Sequence, residues 1–191
     1  MAVLPLVISP DPRLKTASKP VEAVTDEVRR QLEDMLETMY AEHGIGLAAV
    51  QVGIMKRMLV IDVEQREEDG KRTPMKFINP EIIWESEELS SYNEGCLSFP
   101  SHYADVERPA EVKVKYLDEK GVQKEIHAKG LLATCLQHEI DHINGVTFVD
   151  HISRVKRDII LRKLAKDKKL GVVPEKRGEN PYAAKEKQAE L

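Results

Sequence analysis

The HExxH segment at 138–142 constrains the fold of this chain more than any other part of the sequence. It lies in a helical pattern between Gly130 and Gly145, where apolar residues recur at helical spacing. Histidines four positions apart on a helix share one face, about 6 Å apart at Cβ, so both rings can bind one metal ion. The same face carries Leu131 and Cys135, so it is not a solvated face. A buried histidine pair beside a carboxylate predicts a divalent metal site on a central helix.

Two histidines leave a tetrahedral metal site short of at least one protein ligand. No third histidine or glutamate follows HExxH at the spacing of the common HExxH peptidases. Cys96, in the segment NEGCLSFP at 93–100, is a candidate, although a lone cysteine is more often a small buried core residue. A zinc peptidase with a histidine or glutamate ligand and a structural metal protein with four protein ligands remain alternatives.

A third segment, GIGLAAVQ at 44–51, is framed by glycines. It lacks the lysine and the spacing of a phosphate-binding loop, so a nucleotide site is not expected there. Taken alone, the segment is typical of a helix end that leads into a packed apolar strand.

Composition excludes several classes of function. The 191 residues favour one compact domain, and the net charge of −4 gives no basic surplus, so we expect no DNA partner and RNA contact only through a local patch. The only cysteines, Cys96 and Cys135, are far apart, which favours a reducing, cytoplasmic setting over a disulfide framework. Pro5 interrupts the apolar start, so we expect neither a signal peptide nor a transit peptide, and no run approaches membrane-spanning length.

The remaining patterns predict an α+β fold with a helix near each end of the chain. One helical pattern begins at Thr25 and ends at Gly44, and another spans Ser153 to Lys169. Strands are predicted at 58–63, 75–78, 81–87, 112–116 and 122–128, with a charged turn at 64–73 and a break at 79–80. We expect antiparallel sheets packed around the central HExxH helix in one domain at 1–170, and an exposed, flexible tail at 171–191.

Together, three segments resemble the three motifs of peptide deformylases. They are GxGLAAxQ at 44–51, EGCLS at 94–98 and QHExDH at 137–142, in the family's order and spacing. The resemblance extends from SPDPRL at 9–14 to about residue 170. It implies hydrolysis of the formyl group from the N-terminal formylmethionine of nascent polypeptides, with formate and a free amine as products.

The resemblance also implies a role for individual residues. The implied ligands of one divalent metal ion are Cys96, His138 and His142. That ion is expected to be Fe(2+) in the cell, with Zn(2+), Ni(2+) or Co(2+) as substitutes. Water takes the fourth position and attacks the formyl carbon, with Glu139 as general base and then general acid. The Gln51 amide and the backbone N–H of Leu97 would hold the oxyanion.

Substrate recognition follows from the same resemblance. The peptide would lie as an extra strand along the backbone near Ile45 and Gly95, and a pocket would take the methionine side chain. The implied substrate-binding residues are Ile45, Gly46, Tyr92, Gly95, Leu131, Thr134 and Cys135. Thr134 and Tyr92 occupy positions where larger aliphatic residues are common in the family. The mouth of the methionine pocket is therefore expected to be more polar in this chain than in those relatives. Glu94 is either a solvated loop carboxylate or, as we favour, a group that orients a metal ligand.

The helical pattern at 153–169 carries eight basic side chains against two acidic ones. It is either a solvated helix face, or a contact with ribosomal RNA like that of bacterial deformylases with a C-terminal helical extension. On the solvated-face interpretation, the side that packs on the domain is Val155, Ile159, Ile160 and Leu164. Surface or structural roles are expected for His43, His102, His127 and His151.

Overall fold

A computed structural model describes residues 2–64 and 72–171 of the chain. Within these residues there are three α-helices and seven strands. The helices are α1 (Asp26–Ala41), α2 (Gly130–Ile143) and α3 (Arg154–Lys169). The strands are β1 (Gly46–Ala48), β2 (Met58–Ile61), β3 (Met75–Glu85), β4 (Leu89–Cys96), β5 (Phe99–Pro109), β6 (Glu111–Leu117) and β7 (Gln123–Lys129). Most of the charged turn predicted at 64–73, and all but the first residue of the tail predicted at 171–191, lie outside the described residues.

The strands form two antiparallel sheets. One sheet has five strands in the order β1-β2-β3-β6-β7, and the other consists of β4 and β5 alone. The predicted α+β class with antiparallel sheets and a helix near each end is therefore confirmed. Because β6 pairs with β3, the β4–β5 hairpin is inserted in the chain between two neighbouring strands of the larger sheet.

Helix α1 begins as its sequence predicts. The side chain of Thr25 accepts a hydrogen bond from the backbone N–H of Val28 at 3.3 Å, which satisfies one of the donors at the helix start. Its buried side chains pack with β1 and β2 in one hydrophobic cluster. The buried apolar residues of α1 are Val28, Leu32, Met35, Leu36 and Met39.

Helix α2 contacts both sheets. Its apolar side chains pack against the five-stranded sheet and form one hydrophobic cluster with Leu59, Phe77 and Val114 of that sheet. Those apolar side chains are Ala133, Leu136, Ile140 and Ile143. Its other buried residues are polar or ionisable, which is unusual for a helix interior, and they include both histidines of HExxH.

The predicted break between two strands at 79–80 is wrong, because β3 is continuous from Met75 to Glu85. Asn79 has a positive φ of 51°, and the register against β6 shifts between Ile78 and Glu81. The Asn79 amide accepts from the backbone N–H of Val21 and donates to its carbonyl, both at 2.8 Å. The Asn-Pro pair therefore produces a β-bulge and not the end of a strand.

The β4–β5 hairpin was not predicted, and the Cys96 segment was expected to end at Pro100. In the structure Cys96 pairs with Phe99 and Gly95 pairs with Tyr103, so residues 100–102 have no partner in β4. Proline is tolerated in a strand at such an irregularity, because no ladder hydrogen bond is required of it there. Many side chains of the hairpin are polar, so its hydrophobic alternation is weak.

Helix α3 buries fewer apolar residues than expected. Ile160 and Leu164, four positions apart, are buried against Phe148 and Val149. Val155 and Ile159 are 70% and 61% exposed, so the expectation that all four apolar residues pack on the domain is wrong. None of the helices in the described part of the chain is long and apolar enough to cross a membrane.

Candidate metal centre

Three potential metal ligands from two elements meet inside the protein. Cys96 is the last residue of β4, and His138 and His142 lie one turn apart on α2. The ligand atoms of these buried residues all lie within 4.8 Å of one another, and the Cys96 Sγ lies 3.1 Å from the Nε2 of His142. A thiol and two imidazoles that converge in this way fit a divalent transition metal ion.

The strand geometry explains why Glu94 accompanies Cys96. Residues two apart on a β-strand share a face, and both side chains are buried near α2. The Glu94 Oε2 lies 2.8 Å from the Nδ1 of His138. Glu94 is therefore not a solvated loop carboxylate, which is the alternative that the sequence left open.

The Glu94 carboxylate is charged. Burial alone would raise its pKa, but the hydrogen bonds from His138 and Arg108 lower that pKa to about 2. Arg108 donates to both carboxylate oxygens, from Nε to Oε1 at 2.5 Å and from Nη2 to Oε2 at 3.1 Å. A charged acceptor at Nδ1 makes that nitrogen the donor, which leaves Nε2 of His138 available for a metal ion.

The network continues to residues that the sequence analysis did not assign to the site. Arg108 also donates from Nη1 to Asp141 at 2.8 Å, and the same carboxylate oxygen lies 2.7 Å from the Nε2 of His151. Asp141 lies inside the HExxH segment, so its place in the motif could have identified it as a residue near the metal centre. Arg108 lies on β5, which was not predicted, and nothing in its local sequence points to the site. The contact between His151 and Asp141 agrees with the structural role expected for that histidine.

Glu139 is buried beside the ligands, and its Oε2 has no hydrogen-bond partner among the described residues. Burial raises the pKa of this carboxyl to about 7. A Cβ at Gly46 would lie 2.5 Å from Oε1 of Glu139 and 2.7 Å from the Sγ of Cys135, so only glycine fits there. The carboxyl group can therefore bind or release a proton near neutral pH in a closely packed position.

Gln51 holds its amide toward the same centre. Its Oε1 accepts from the backbone N–H of Ala48 at 2.7 Å, which fixes the direction of the side-chain N–H groups. Its Nε2 lies 3.4 Å from the Cys96 Sγ and 3.3 Å from the hydroxyl oxygen of Ser98. Ser98 was not predicted as a site residue, although it belongs to the EGCLS segment.

A cavity beside the centre brings the predicted residues together. Every residue predicted for the site except His142 lines it, and Gly44 contributes as well. His142 is fully buried behind the lining. The cavity wall therefore includes the candidate ligands, Glu139, Gln51, the backbone near Ile45 and Gly95, and the pocket residues Leu131, Thr134 and Tyr92.

A buried HExxH helix, a third candidate ligand from a neighbouring strand and an adjacent cavity are typical of metal-dependent hydrolases.

Comparison with known proteins shows which family of metal-dependent hydrolases this chain resembles. A model of the family described as polypeptide deformylase matches residues 3–158. Peptide deformylase of Agrobacterium fabrum is 57% identical over 166 residues, which cover 87% of this chain and 96% of that protein. Peptide deformylase of Mesorhizobium japonicum is 57% identical over 174 residues, which cover 90% of this chain and 98% of that protein.

Solved structures agree with the sequence comparison. The crystal structure of peptide deformylase from Ehrlichia chaffeensis matches with a TM-score of 0.84 and 43% identity, over 90% of this chain and 100% of that chain. A structure of peptide deformylase from Ehrlichia chaffeensis in complex with actinonin matches with a TM-score of 0.82 and 45% identity, over 87% and 98% of the two chains. The chain belongs to the peptide deformylase family, whose members remove N-formyl groups from nascent peptides.

Proposed function

We propose that this enzyme hydrolyses the formyl group from the N-terminal formylmethionine of nascent polypeptides and releases formate and a free amine. The observation that carries the proposal is the convergence of one thiol and two imidazoles beside the buried Glu139 carboxyl. The fold and the family membership agree with it.

Cys96, His138 and His142 would hold one divalent metal ion, Fe(2+) in the cell, with Zn(2+), Ni(2+) or Co(2+) as substitutes. When bound, the ion would acidify water and polarise the formyl carbonyl group. Glu94 supports this assignment because it orients the His138 ring. Protein purified without oxygen should contain iron and should lose activity in air, because the iron and the Cys96 thiolate both oxidise.

The chain's own groups then supply proton transfer and charge stabilisation. Glu139, which is buried beside the candidate ligands, takes a proton from the attacking water and delivers a proton to the departing amine. The Gln51 amide, held by Ala48, and the backbone N–H of Leu97 would donate to the formyl oxygen as negative charge develops there.

The substrate backbone would lie in the cavity as an added strand beside Ile45, Gly46 and Gly95. The strand β1 supports this proposal because it is the first strand of the five-stranded sheet, and among the described strands of that sheet it pairs with β2 alone. An added strand is held by main-chain hydrogen bonds, which do not read sequence, so selectivity rests on the pocket for the first side chain. That pocket would be lined by Ile45, Tyr92, Leu131, Thr134, Cys135 and His138.

The test compares formyl-Met-Ala-Ser with its unformylated and acetylated analogues. We expect formate release from the formyl peptide and much slower hydrolysis of the other two. Cleavage of the Met-Ala bond in the unformylated peptide would indicate an aminopeptidase instead. A protein that binds metal and hydrolyses none of the three would indicate a structural metal site.

Helix α3 provides the proposed partner surface, a contact with ribosomal RNA. Its exposed side includes Val155, Ile159, Arg162 and Lys166, which follow one another at helical spacing. Exposed apolar residues among cations support a contact surface over a purely solvated face. The two free cysteines support the proposal of a cytoplasmic location.

A further inference from the structure

Ser98 is fully buried beside the amide group of Gln51. Its hydroxyl oxygen accepts a hydrogen bond from the Nε2 of Gln51 at 3.3 Å. The proposed mechanism gives this hydroxyl no role, because the donors to the formyl oxygen there are the Gln51 amide and the backbone N–H of Leu97. A buried polar side chain that pairs with a proposed catalytic group is a candidate for holding that group in place.

The hydrogen bonds of Gln51 determine which way its amide group faces. The backbone N–H of Ala48 can only donate, so the amide atom that it meets at 2.7 Å is the oxygen Oε1. The other end of the amide is therefore the nitrogen, and that nitrogen has two acceptors within reach. They are the Ser98 hydroxyl oxygen at 3.3 Å and the Cys96 Sγ at 3.4 Å. The amide is thus held at its oxygen and again at its nitrogen.

The contact at the nitrogen removes a freedom that the contact at the oxygen leaves. With Oε1 held by Ala48 alone, the amide plane could turn about that contact and direct its N–H groups elsewhere. When Ser98 accepts from one N–H group, the other is directed toward Cys96, which lines the cavity. A donor that is aimed in advance stabilises developing negative charge without reorganising during the reaction.

The N-terminal segment of the protein holds the backbones of Gln51 and Ser98 next to each other. The carbonyl oxygen of Gln51 accepts from the backbone N–H of Val7 at 2.7 Å, and that of Ser98 accepts from Ser9 at 2.9 Å. Val7 and Ser9 are themselves buried. Gln51 and Ser98 lie 47 residues apart in the chain, so this short bridge fixes the distance between them.

We propose that Ser98 is a positioning residue for deformylation, whose hydroxyl oxygen holds the Gln51 amide so that one N–H group points at the formyl oxygen. Ser98 does not line the cavity, so it acts through Gln51 and not on the substrate. The inference rests on the proposed function, because the formyl oxygen is the atom on which Gln51 would act.

The experiment measures kcat and KM for formyl-Met-Ala-Ser with metal-loaded protein of verified metal content. Ser98→Ala should lower kcat roughly 5- to 30-fold and change KM by less than about twofold, because a misdirected donor weakens binding of the transition state more than binding of the substrate. Ser98→Cys, whose thiol is a weaker acceptor, should lie between Ser98→Ala and the wild type. It also keeps the test open if the alanine variant does not fold.

A double-mutant cycle separates positioning from a merely structural role. Gln51→Met removes the amide and keeps an unbranched side chain of similar length. If Ser98 acts through Gln51, adding Ser98→Ala to Gln51→Met should lower kcat further by less than about twofold. A structural role would lower kcat by the same factor in both backgrounds, and that result would overturn the inference.

Nuclear magnetic resonance of the Gln51 side chain gives a readout besides activity. The side-chain N–H signals of Gln51 are those missing from the spectrum of Gln51→Met. They should shift in Ser98→Ala, because one N–H group loses its acceptor. Unchanged signals in Ser98→Ala would overturn the inference.

Ser18→Ala is the matched control. Ser18 is also buried, and its hydroxyl has no hydrogen-bond partner among the described residues. Ser18→Ala should leave kcat within about twofold of the wild type and the Gln51 signals in place. A similar fall in kcat in Ser18→Ala and Ser98→Ala, or a fall in Ser98→Ala that follows loss of metal, would overturn the assignment. If the wild type releases no formate from the formyl peptide, the proposed function itself fails.

Discussion

The Oε2 of Glu94 lies 2.8 Å from the Nδ1 of His138, and both side chains are buried. Arg108 donates to the same carboxylate and also to Asp141, so β4, β5 and α2 are joined through one arginine. A metal ligand held in this way keeps its ring orientation, which raises the affinity for the ion. We therefore propose that the Glu94 carboxylate positions the proposed ligand His138.

Glu94→Gln should weaken metal binding roughly 10- to 100-fold. The amide still fits the space, but it no longer balances the buried Arg108 charge and accepts more weakly from His138. Metal transfer to a chromogenic chelator measures the affinity. The control is Asp105→Asn on the same hairpin, because Asp105 is exposed and accepts a hydrogen bond from the Asn93 side chain outside the cavity. Equal affinity for Glu94→Gln and Asp105→Asn would contradict the positioning role.

Glu139→Gln should keep the fold and the metal but lose about 10² to 10⁴-fold in kcat. The amide cannot take up the proton that the carboxyl group, with its pKa of about 7, can accept. Metal content and turnover of formyl-Met-Ala-Ser are measured on the same preparation. Glu87→Gln, at an exposed position, is the control for the chemical change. Turnover near that of the wild type would remove Glu139 from the mechanism.

Gly46→Ala should reduce activity strongly although the added group is a single methyl. Its Cβ would lie 2.5 Å from the Glu139 Oε1 and 2.7 Å from the Cys135 Sγ, so the carboxyl group must move. A displacement of about 1 Å at a reacting group can lower the rate about 100-fold. Steady-state kinetics on protein of verified metal content measure the loss. Gly121→Ala, where the nearest atom is 3.7 Å from the new Cβ, should lose stability through its positive φ but keep its activity per folded molecule.

Reversing two charges on α3 should weaken binding to ribosomes. Arg162→Glu with Lys166→Glu removes two cations from the exposed side while the packed residues Ile160 and Leu164 stay in place. Each lost phosphate contact should reduce the slope of log affinity against log salt concentration by about one. Cosedimentation across a salt series measures this slope. The control reverses two exposed lysines elsewhere, Lys19 and Lys120, and equal binding by both double variants would leave only a solvated face.

Local patterns predicted the parts of this protein whose structure depends on neighbouring residues in the chain. Helical periodicity and capping located α1, α2 and α3 to within a few residues, because these signals act over one or two turns. The HExxH spacing likewise placed two imidazoles together before any tertiary contact was known. Motif resemblance added Cys96, which spacing alone left open as a core cysteine.

Tertiary structure alone decided the hairpin and the network behind the ligands. The polar strands β4 and β5 form because they pair with each other, and Arg108 reaches Glu94 and Asp141 only through that pairing. The burial of Glu94 and the packing of α3 through Ile160 and not Val155 likewise depend on what lies opposite each side chain. The sequence by itself determined that two imidazoles share one helix face, since helix geometry repeats every few residues. The environment that sets their pKa values and orientation arises from contacts between segments far apart in the chain, which no local pattern encodes.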